Sequence, residues 1–307
     1  MAKSSKNSLQ RRLETGLARL GVRFMQALPH RTAQRLGGRV GLLAHDLIGI
    51  RRKHAIAELL RCFPDRDEAW ARTIVRKLYR HFGILTAELA RNPQVVKDHR
   101  EWIEIDPVSL GHLKRAQESG RGTFITSGHH GNWEYAGVAA VVSGFPTTFV
   151  VGEQSNPDIE KLLDDLRRAG GLHIVKRKDA ARGIPRALKA NHLVAMMIDQ
   201  DARRAGIFIP FFGRPASTFR GVGVFTLKYN PHVMFMRTWR DDSGVIRVRV
   251  DPVDVPNTGD TEADIRTLMT DLTDRLEAHI REYPDQYLWL HKRWKTKPPD
   301  EASEALP

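Results

Sequence analysis

The run Thr126-Ser-Gly-His-His-Gly-Asn-Trp-Glu-Tyr135 places a histidine, His129, and a carboxylate, Glu134, on one short stretch of chain. These are the residue types of a general base and its aligning partner. A carboxylate bonded to one ring nitrogen fixes the tautomer and leaves the other nitrogen free to take a proton. A five-residue separation on a regular helix would turn the two side chains roughly 140° apart. They can meet only if His129 lies in the loop before the helix, and Gly128 and Gly131 give that loop freedom to bend. The preceding run, Arg121 to Ser127, reads as a buried strand and Trp133 to Val142 as a helix. The pair is therefore expected at a strand-to-helix turn, facing the crevice beyond the strand's carboxyl end.

Other constellations sit at comparable places. Asp199-Gln200-Asp201 follows the apolar strand Val194–Ile198. An Asp-x-Asp pair can bind a divalent metal beside a nucleotide sugar, orient a sugar hydroxyl, or cap the next turn. Arg203 and Arg204 follow directly and can pair with anionic groups of a substrate. Lys176-Arg177-Lys178 follows the short strand His173–Val175, where three cations can hold a phosphate or carboxylate or simply face water. Phe208, Phe211 and Phe212 stand in the run Gly206–Gly213 as part of a buried edge strand or as the wall of a slot for a fatty acyl chain. Each methylene buried in such a slot would contribute about 0.8 kcal/mol. Tyr287 to Lys295 mixes aromatics with cations, a combination that suits membrane interfaces, single-stranded nucleic acid or plain packing on a core.

The elements that position these residues follow from periodicity. From Leu9 to Asn92 the pattern is helical, broken at Pro29, Gly37-Gly38 and Pro64, and a long helix runs from about Glu68 to Arg91. Strands are then expected at 102–105, 122–126, 147–151, 173–175, 193–198, 207–211, 232–239 and 245–250. Helices at 108–119, 132–142, 157–169, 180–190, 219–229 and 262–282 alternate with them. This predicts an α/β fold, a mixed and mainly parallel sheet flanked by helices, with an N-terminal helical region. Residues 1–8 read as a disordered tail, 9–92 as the helical and membrane-associating region, 93–298 as the α/β catalytic domain, and 299–307 as a mobile tail.

Composition narrows the class. Lys and Arg number 49 against 36 Asp and Glu, a net charge of +13 that attracts polyanions or anionic lipid. No zinc-finger spacing, basic zipper or aromatic RNA-binding signature accompanies the charge, so no nucleic-acid partner is expected. Basic residues near anionic lipid contribute about 1 kcal/mol each, and a membrane surface explains the excess at least as well. The chain has no run of eighteen apolar residues and no evident signal peptide. Leu13, Leu17, Leu20, Phe24 and Leu28 recur at helical spacing beside Arg12, Arg19 and Arg23. That helix would either lie in the interface plane or pack on the catalytic domain. The single cysteine, Cys62, excludes an internal disulfide framework and reads as a packed apolar thiol.

The string H-H-G-N-W-E at 129–134 resembles the H-x4-D/E signature of the lysophospholipid acyltransferase superfamily, and specifically the bacterial lipid A late (lauroyl/myristoyl-type) acyltransferases. L-P-H-R-T-A-Q-R-L-G-G at 28–38 and C-F-P-D at 62–65 resemble that branch upstream of it. K-R-K-D-A at 176–180, I-D-Q-D at 198–201, F-I-P-F-F-G at 208–213 and P-D-Q-Y-L-W-L-H-K-R-W-K-T-K-P at 284–298 do so downstream, in the family's order. The resemblance spans about residues 28 to 298.

It implies a membrane-associated O-acyltransferase, peripheral or monotopic, at the cytoplasmic face of the bacterial inner membrane. A fatty acyl thioester on acyl carrier protein or coenzyme A would be the donor. A hydroxyl of a glycolipid, in the first place a lipid A precursor, would be the acceptor. His129, aligned by Glu134, would deprotonate that hydroxyl, with backbone amides around Gly131 as a possible oxyanion site and with no metal, cofactor or acyl-enzyme. The resemblance further implies substrate contacts from Asn132, Arg177, Asp199, Asp201, Arg203 and Phe211, with Arg293 in support. Arg177 falls where the family places a cation near a substrate phosphate. One departure is Gly152, at a position where relatives often carry arginine; it leaves open another lipid acceptor, such as a phosphoinositide mannoside or a lysophospholipid. The rival from another class is a metal-dependent glycosyltransferase built on Asp199 and Asp201.

Overall fold

The computed structural model describes residues 8–299, so the expected tails at 1–8 and 299–307 lie outside the described residues apart from Ser8 and Pro299. The N-terminal part is helical throughout: α1 (Ser8–Ala27), α2 (His30–Leu43), a short π-helical turn (Ala44–Ile48), α3 (Arg52–Cys62), α4 (Glu68–Ala90) and α5 (Asn92–Trp102). Asp67 starts α4 by accepting a hydrogen bond from the Trp70 amide at 2.7 Å. The crossing of α2 on α4 is set by glycine: a Cβ at Gly41 would lie 2.1 Å from the Tyr79 carbonyl oxygen, and one at Gly83 2.2 Å from that of Gly37. Only bare backbones allow the two helices to approach so closely.

Strands and helices then alternate as the sequence predicts. The strands are β1 (Ile103–Ile105), β2 (Thr123–Ser127), β3 (Thr147–Val151), β4 (His173–Lys176), β5 (Leu193–Met197), β6 (Ile207–Phe211), β7 (Arg214–Thr218), β8 (His232–Arg240) and β9 (Ile246–Pro252). Between them run α6 (Pro107–Glu118), α7 (Trp133–Val142), α8 (Pro157–Ala169), α9 (Ala180–Lys189) and α10 (Gly221–Tyr229), and α11 (Thr261–Glu282) follows. Pro107 and Pro157 occupy first helical turns, where the missing amide costs nothing, behind the caps Asp106 and Asn156.

Seven strands form one sheet in the order β1-β9-β8-β2-β5-β3-β4, parallel everywhere except between β8 and β9. Both faces are covered, which is why the central strands read as continuous apolar runs. Adjacent residues of β2 serve opposite cores. Phe124 belongs to the buried cluster that holds Val222, Leu268 and Leu272, and Ile125 to the one that holds Tyr135, Ala139 and Leu193. The fold is thus the mixed, mainly parallel α/β sheet with N-terminal helices that the alternation predicts.

One region departs from the expected pattern. β6 does not join the large sheet; it forms a separate antiparallel ribbon with β7, a strand that periodicity misses. The turn between them is Phe212-Gly213, with φ of 50° and 70°. Both residues are left-handed, as a two-residue hairpin of type I′ requires, but phenylalanine is a rare first residue there and carries no turn signal.

Candidate active site

The sheet's carboxyl edge assembles the site. β2 and β5 are parallel neighbours with Ser127 opposite Met197, so residues two beyond each strand end, His129 and Asp199, come side by side. His129 Nδ1 lies 2.7 Å from Asp199 Oδ1, and the His129 amide donates to Asp199 Oδ2 at 2.8 Å. Asp199 is buried and its carboxylate grips both the ring and the backbone of one residue. Burial disfavours a charged imidazole, but the charge of Asp199 and its hydrogen bond outweigh that, and the pKa of His129 is raised. Burial likewise opposes the Asp199 carboxylate, and His129 more than compensates, holding its pKa below the ordinary range. The Trp133 ring meets His129 edge-on at 4.9 Å between centroids.

The loop carrying His129 is pinned from the far end of the chain. The Leu288 amide donates to the His129 carbonyl at 3.1 Å, and the Gly131 amide donates to the Gln286 carbonyl at 3.1 Å. His130 is buried between two carbonyls, Thr238 at 3.0 Å and Tyr283 at 2.9 Å. Gly131 has φ of 58°, and a Cβ there would sit 1.9 Å from the Thr238 carbonyl oxygen. Gly131→Ala is expected to lower the unfolding free energy by about 3 kcal/mol, the combined cost of overpacking and a strained φ. Urea melts would show it; an unchanged midpoint would mean the loop can move aside.

The expected pairing of His129 with Glu134 needs correction. Glu134 sits in the first turn of α7, buried, and accepts three bonds from the guanidinium of Arg167 on α8, the shortest 2.6 Å from Nη2 to Oε1. Arg167 stands in the basic last turn of α8 and is itself mostly buried, so the two charges neutralise one another out of water. Glu134 remains close enough to favour a charged His129 electrostatically. It shares the cavity wall with His129 but does not orient the ring.

That cavity holds about 410 Å³. His129, Trp133, Glu134 and Arg167 form one side, Gln200 and Arg177 another, and Phe149, Ile184, Met196 and Phe225 give it an apolar lining. Its rim follows the carboxyl ends of β2, β5, β3 and β4 in turn.

The other expected site residues fall in different places. Arg177 lies at the cavity with its guanidinium over the Phe219 ring at 5.4 Å. Asp201 and exposed Arg203 lie just outside it, in an adjoining recess; Asp201 accepts from Thr296 Oγ1 at 3.0 Å. Asn132 caps α7, accepting from the Tyr135 amide at 2.9 Å and donating to buried Glu88 at 2.7 Å, so it holds the helix rather than facing the cavity. Arg293 is buried and donates to the Ser217 carbonyl and to Thr218 Oγ1, which ties β7 to the C-terminal segment beneath Asp199. Phe211 is only 1% exposed and stacks on Trp294 at 5.5 Å. It belongs to the core because its ribbon lies on α11, and neither it nor Phe208 or Phe212 lines the cavity at His129, so the expected acyl slot is not there. The amides of residues 129 to 132 are all occupied within the protein, which removes the loop around Gly131 as an oxyanion site.

Glu88, Arg167 and Arg240 are the site's unforeseen supports. Arg240 pairs with Glu88, which also accepts from Asn132 and from Gln34 at 2.8 Å. No local spacing links these residues; only the tertiary fold does. Cys62 is buried beside Arg214, and burial pushes its thiol up to about 12, far from a usable thiolate.

The sequence model of bacterial lipid A biosynthesis acyltransferases matches residues 3–296. This chain belongs to that family. As an acyltransferase it is similar to the lipid A biosynthesis palmitoleoyltransferase of Escherichia coli (strain K12), 26% identical over 298 residues that cover 92% of each chain. The lipid A biosynthesis lauroyltransferase of the same organism is 27% identical over 282 residues, 88% of each. The phosphatidylinositol mannoside acyltransferase of Mycolicibacterium smegmatis (strain ATCC 700084 / mc(2)155) is 24% identical over 207 residues, 66% of each. Family membership makes the chain an acyltransferase and replaces the glycosyltransferase alternative. Asp199 is moreover committed through both oxygens to His129.

Proposed function

We propose that this acyltransferase moves a fatty acyl chain from a thioester, on acyl carrier protein or coenzyme A, to a hydroxyl of a glycolipid of the lipid A precursor class. The observation that carries the mechanism is the His129–Asp199 pair on the wall of a cavity lined by both apolar and cationic side chains. Asp199 holds Nδ1–H, so Nε2 can accept the proton of the acceptor hydroxyl as its oxygen attacks the thioester carbonyl. Collapse of the tetrahedral intermediate breaks the C–S bond, and the proton passes from His129 to the departing thiolate. The developing oxyanion would face the positive end of α7. The acyl chain would lie along Phe149, Ile184, Met196 and Phe225.

Transfer of a mass-labelled acyl chain in lipid vesicles, with a lipid A precursor, a phosphoinositide mannoside and a lysophospholipid offered together, tests the reading. A labelled lipid A precursor that depends on His129 is the expected product. The mannoside stands second because a relative acting on it aligns over 207 residues. Transfer to none of the three by folded protein would sink the proposal.

Residues 9–92 are read as the membrane-associating part, at the cytoplasmic face of the inner membrane. No helix among the described residues is long and apolar enough to cross a membrane. Leu13, Leu17, Leu20 and Phe24 nevertheless turn outward on α1, and Val40, Leu43, Leu47, Ile48 and Ile50 are exposed beyond it, Leu47 to 79%. Exposed Arg12, Arg19, Arg23 and Arg39 stand among them, the mixture that suits an anionic interface. An apolar groove of about 510 Å³ opens between α1, α2, α4 and α8. Substituting Leu43, Leu47 and Ile48 together by glutamate is expected to weaken partitioning onto anionic vesicles more than about tenfold, since each side chain contributes about 1.5–3 kcal/mol when fully buried. Undiminished co-sedimentation would place the contact elsewhere.

A further inference from the structure

The face of α9 that turns away from the sheet is a row of cations. Arg182, Arg186 and Lys189 fall within about 60° of one another on a regular helix, and Lys178 continues the row in the short turn before it. All four are exposed. Among the described residues none of the four side chains forms an ion pair or a hydrogen bond, whereas exposed cations elsewhere commonly do, as in Arg72–Glu68, Lys161–Asp165 and Arg281–Glu277. Asp179, exposed at the start of this face, pairs with none of them. Glu160 is held by Lys176 at 2.8 Å and accepts the Gln154 amide at 2.7 Å, so it feels Lys178 only through space. Like charges along one helix face repel one another, and no interaction within the chain accounts for their alignment.

The row is held rigidly and leads to the catalytic cavity. Ile184, Ala187 and Leu188 are buried on the opposite face of α9, which packs on β3, β4 and β5. Gly183 lets the helix press against β4: a Cβ there would lie 2.5 Å from Val175 Cγ1. Ala180 and Ile184, in the first turns of α9, line the cavity together with His129. From Ala180 to Lys189 the helix rises about 14 Å, so the row runs outward from the cavity wall. Its composition separates this surface from the one read as membrane-associating. On α1, α2 and the turn after it, arginines stand among exposed Leu13, Leu17, Leu20, Phe24, Leu43 and Leu47. No large apolar side chain of α9 is exposed, and the less buried residues between its cations are Ala181, Gly183 and Pro185. A lipid interface gains from apolar insertion, which this face cannot supply. Nor is it a concave site of the kind that encloses a small anion.

We propose that this row docks an acidic protein, the acyl carrier protein that brings the thioester, and that the carrier's pantetheine arm enters the cavity at the start of α9. An acidic helix laid along α9 would meet charges of opposite sign and point the thioester end of the arm toward His129. Complementary charge of this kind steers encounter and fixes orientation more than it adds affinity. The inference rests on the acyl-transfer reading for the partner's identity, and within that reading it selects the carrier protein over coenzyme A as donor.

Equilibrium binding to the full chain tests it without turnover. The probes are an acyl carrier protein loaded with its acyl chain, an acyl-coenzyme A, and vesicles of equal parts phosphatidylcholine and phosphatidylglycerol. Arg182→Glu/Arg186→Glu is compared with wild type and with Lys114→Glu/Arg115→Glu, the same reversal on exposed positions of α6, which packs on β9 at the far side of the sheet. Arg182→Gln/Arg186→Gln supplies a milder step. The reversal is expected to weaken carrier-protein binding at least about tenfold at low salt, and the glutamine pair to weaken it less, an order set by charge. The α6 variant should bind the carrier protein as wild type does, and the α9 variants should keep acyl-coenzyme A and vesicle binding. Wild-type affinity for the carrier protein in the α9 variants, or equal loss in the α9 and α6 variants, overturns the docking surface. Lost vesicle binding with carrier-protein binding intact would give the row to the membrane instead. Wild type that binds acyl-coenzyme A but no carrier protein would also overturn it and leave the acyl-transfer reading intact. Row-dependent carrier-protein binding without any acyl transfer would refute the enzymatic reading and leave the docking surface standing.

Discussion

Replacing His129 by alanine is expected to lower kcat for acyl transfer by about 10²- to 10⁴-fold, the contribution of a well-placed general base, while KM changes little. The fold should survive. The His129 side chain makes one hydrogen bond, to Asp199, and one ring contact, with Trp133. The residue's backbone amide still donates to Asp199 after the ring is gone, and Leu288 still holds its carbonyl, so the loop keeps its anchors. Asp199 loses its ring partner but not its burial, and a modest drop in thermal midpoint is the expected cost. No other group takes over. The Cys62 thiol is pushed up to about 12 and packs in a different part of the core. His130 has both ring nitrogens against carbonyls. Steady-state kinetics with a labelled thioester, beside circular dichroism of the same preparation, make the comparison. A folded His129→Ala protein with near-normal turnover would remove the base from the mechanism.

The parts of this molecule that the sequence discloses are those governed by local periodicity. The buried runs that become β2, β3 and β5, and the caps at Asp67 and Asp106, carry their signals within a few residues. The strand-to-helix turn holding His129 is legible for the same reason. The partner of His129 is not. Glu134 lies in the same motif and offers the nearest carboxylate along the chain, whereas Asp199 reaches the ring through strand register, 70 residues away. A register argument was within reach: two parallel strands each followed, two residues on, by a titratable side chain at the same sheet edge. It requires knowing that β2 and β5 are neighbours, which alternation alone does not reveal. Arg167 and Glu88 were hidden similarly, because a helical arginine and a helical glutamate look solvated until the helices they touch are known. Phe211 shows the opposite failure. Its apolar run suits a slot or a core equally, and the undetected turn at Phe212-Gly213 decided for the core.

Asp199→Asn separates the two carboxylates and gives a result with a definite sign in pH. In the wild type, burial lowers the His129 pKa, and the charge and hydrogen bond of Asp199 more than restore it, so the net shift is upward. The active form has Nε2 unprotonated, and the acid limb of kcat/KM therefore follows the raised pKa: activity is lost as pH falls through it. With asparagine the charge disappears, burial prevails, and the acid limb should move to lower pH. The plateau should nevertheless fall by about 10²- to 10⁴-fold. An amide nitrogen facing Nδ1 donates to it, which puts the ring proton on Nε2, where it blocks the base. Glu134→Gln predicts a different pattern. It removes a through-space charge but no bond to the ring, so the limb should shift less and the tautomer should hold. Its main cost is stability, about 3–5 kcal/mol, because mostly buried Arg167 loses the carboxylate it grips with three hydrogen bonds. A large fall in plateau rate with a shifted limb in Glu134→Gln, beside a nearly normal profile in Asp199→Asn, would return the aligning role to Glu134 and require the loop to rearrange when substrate binds.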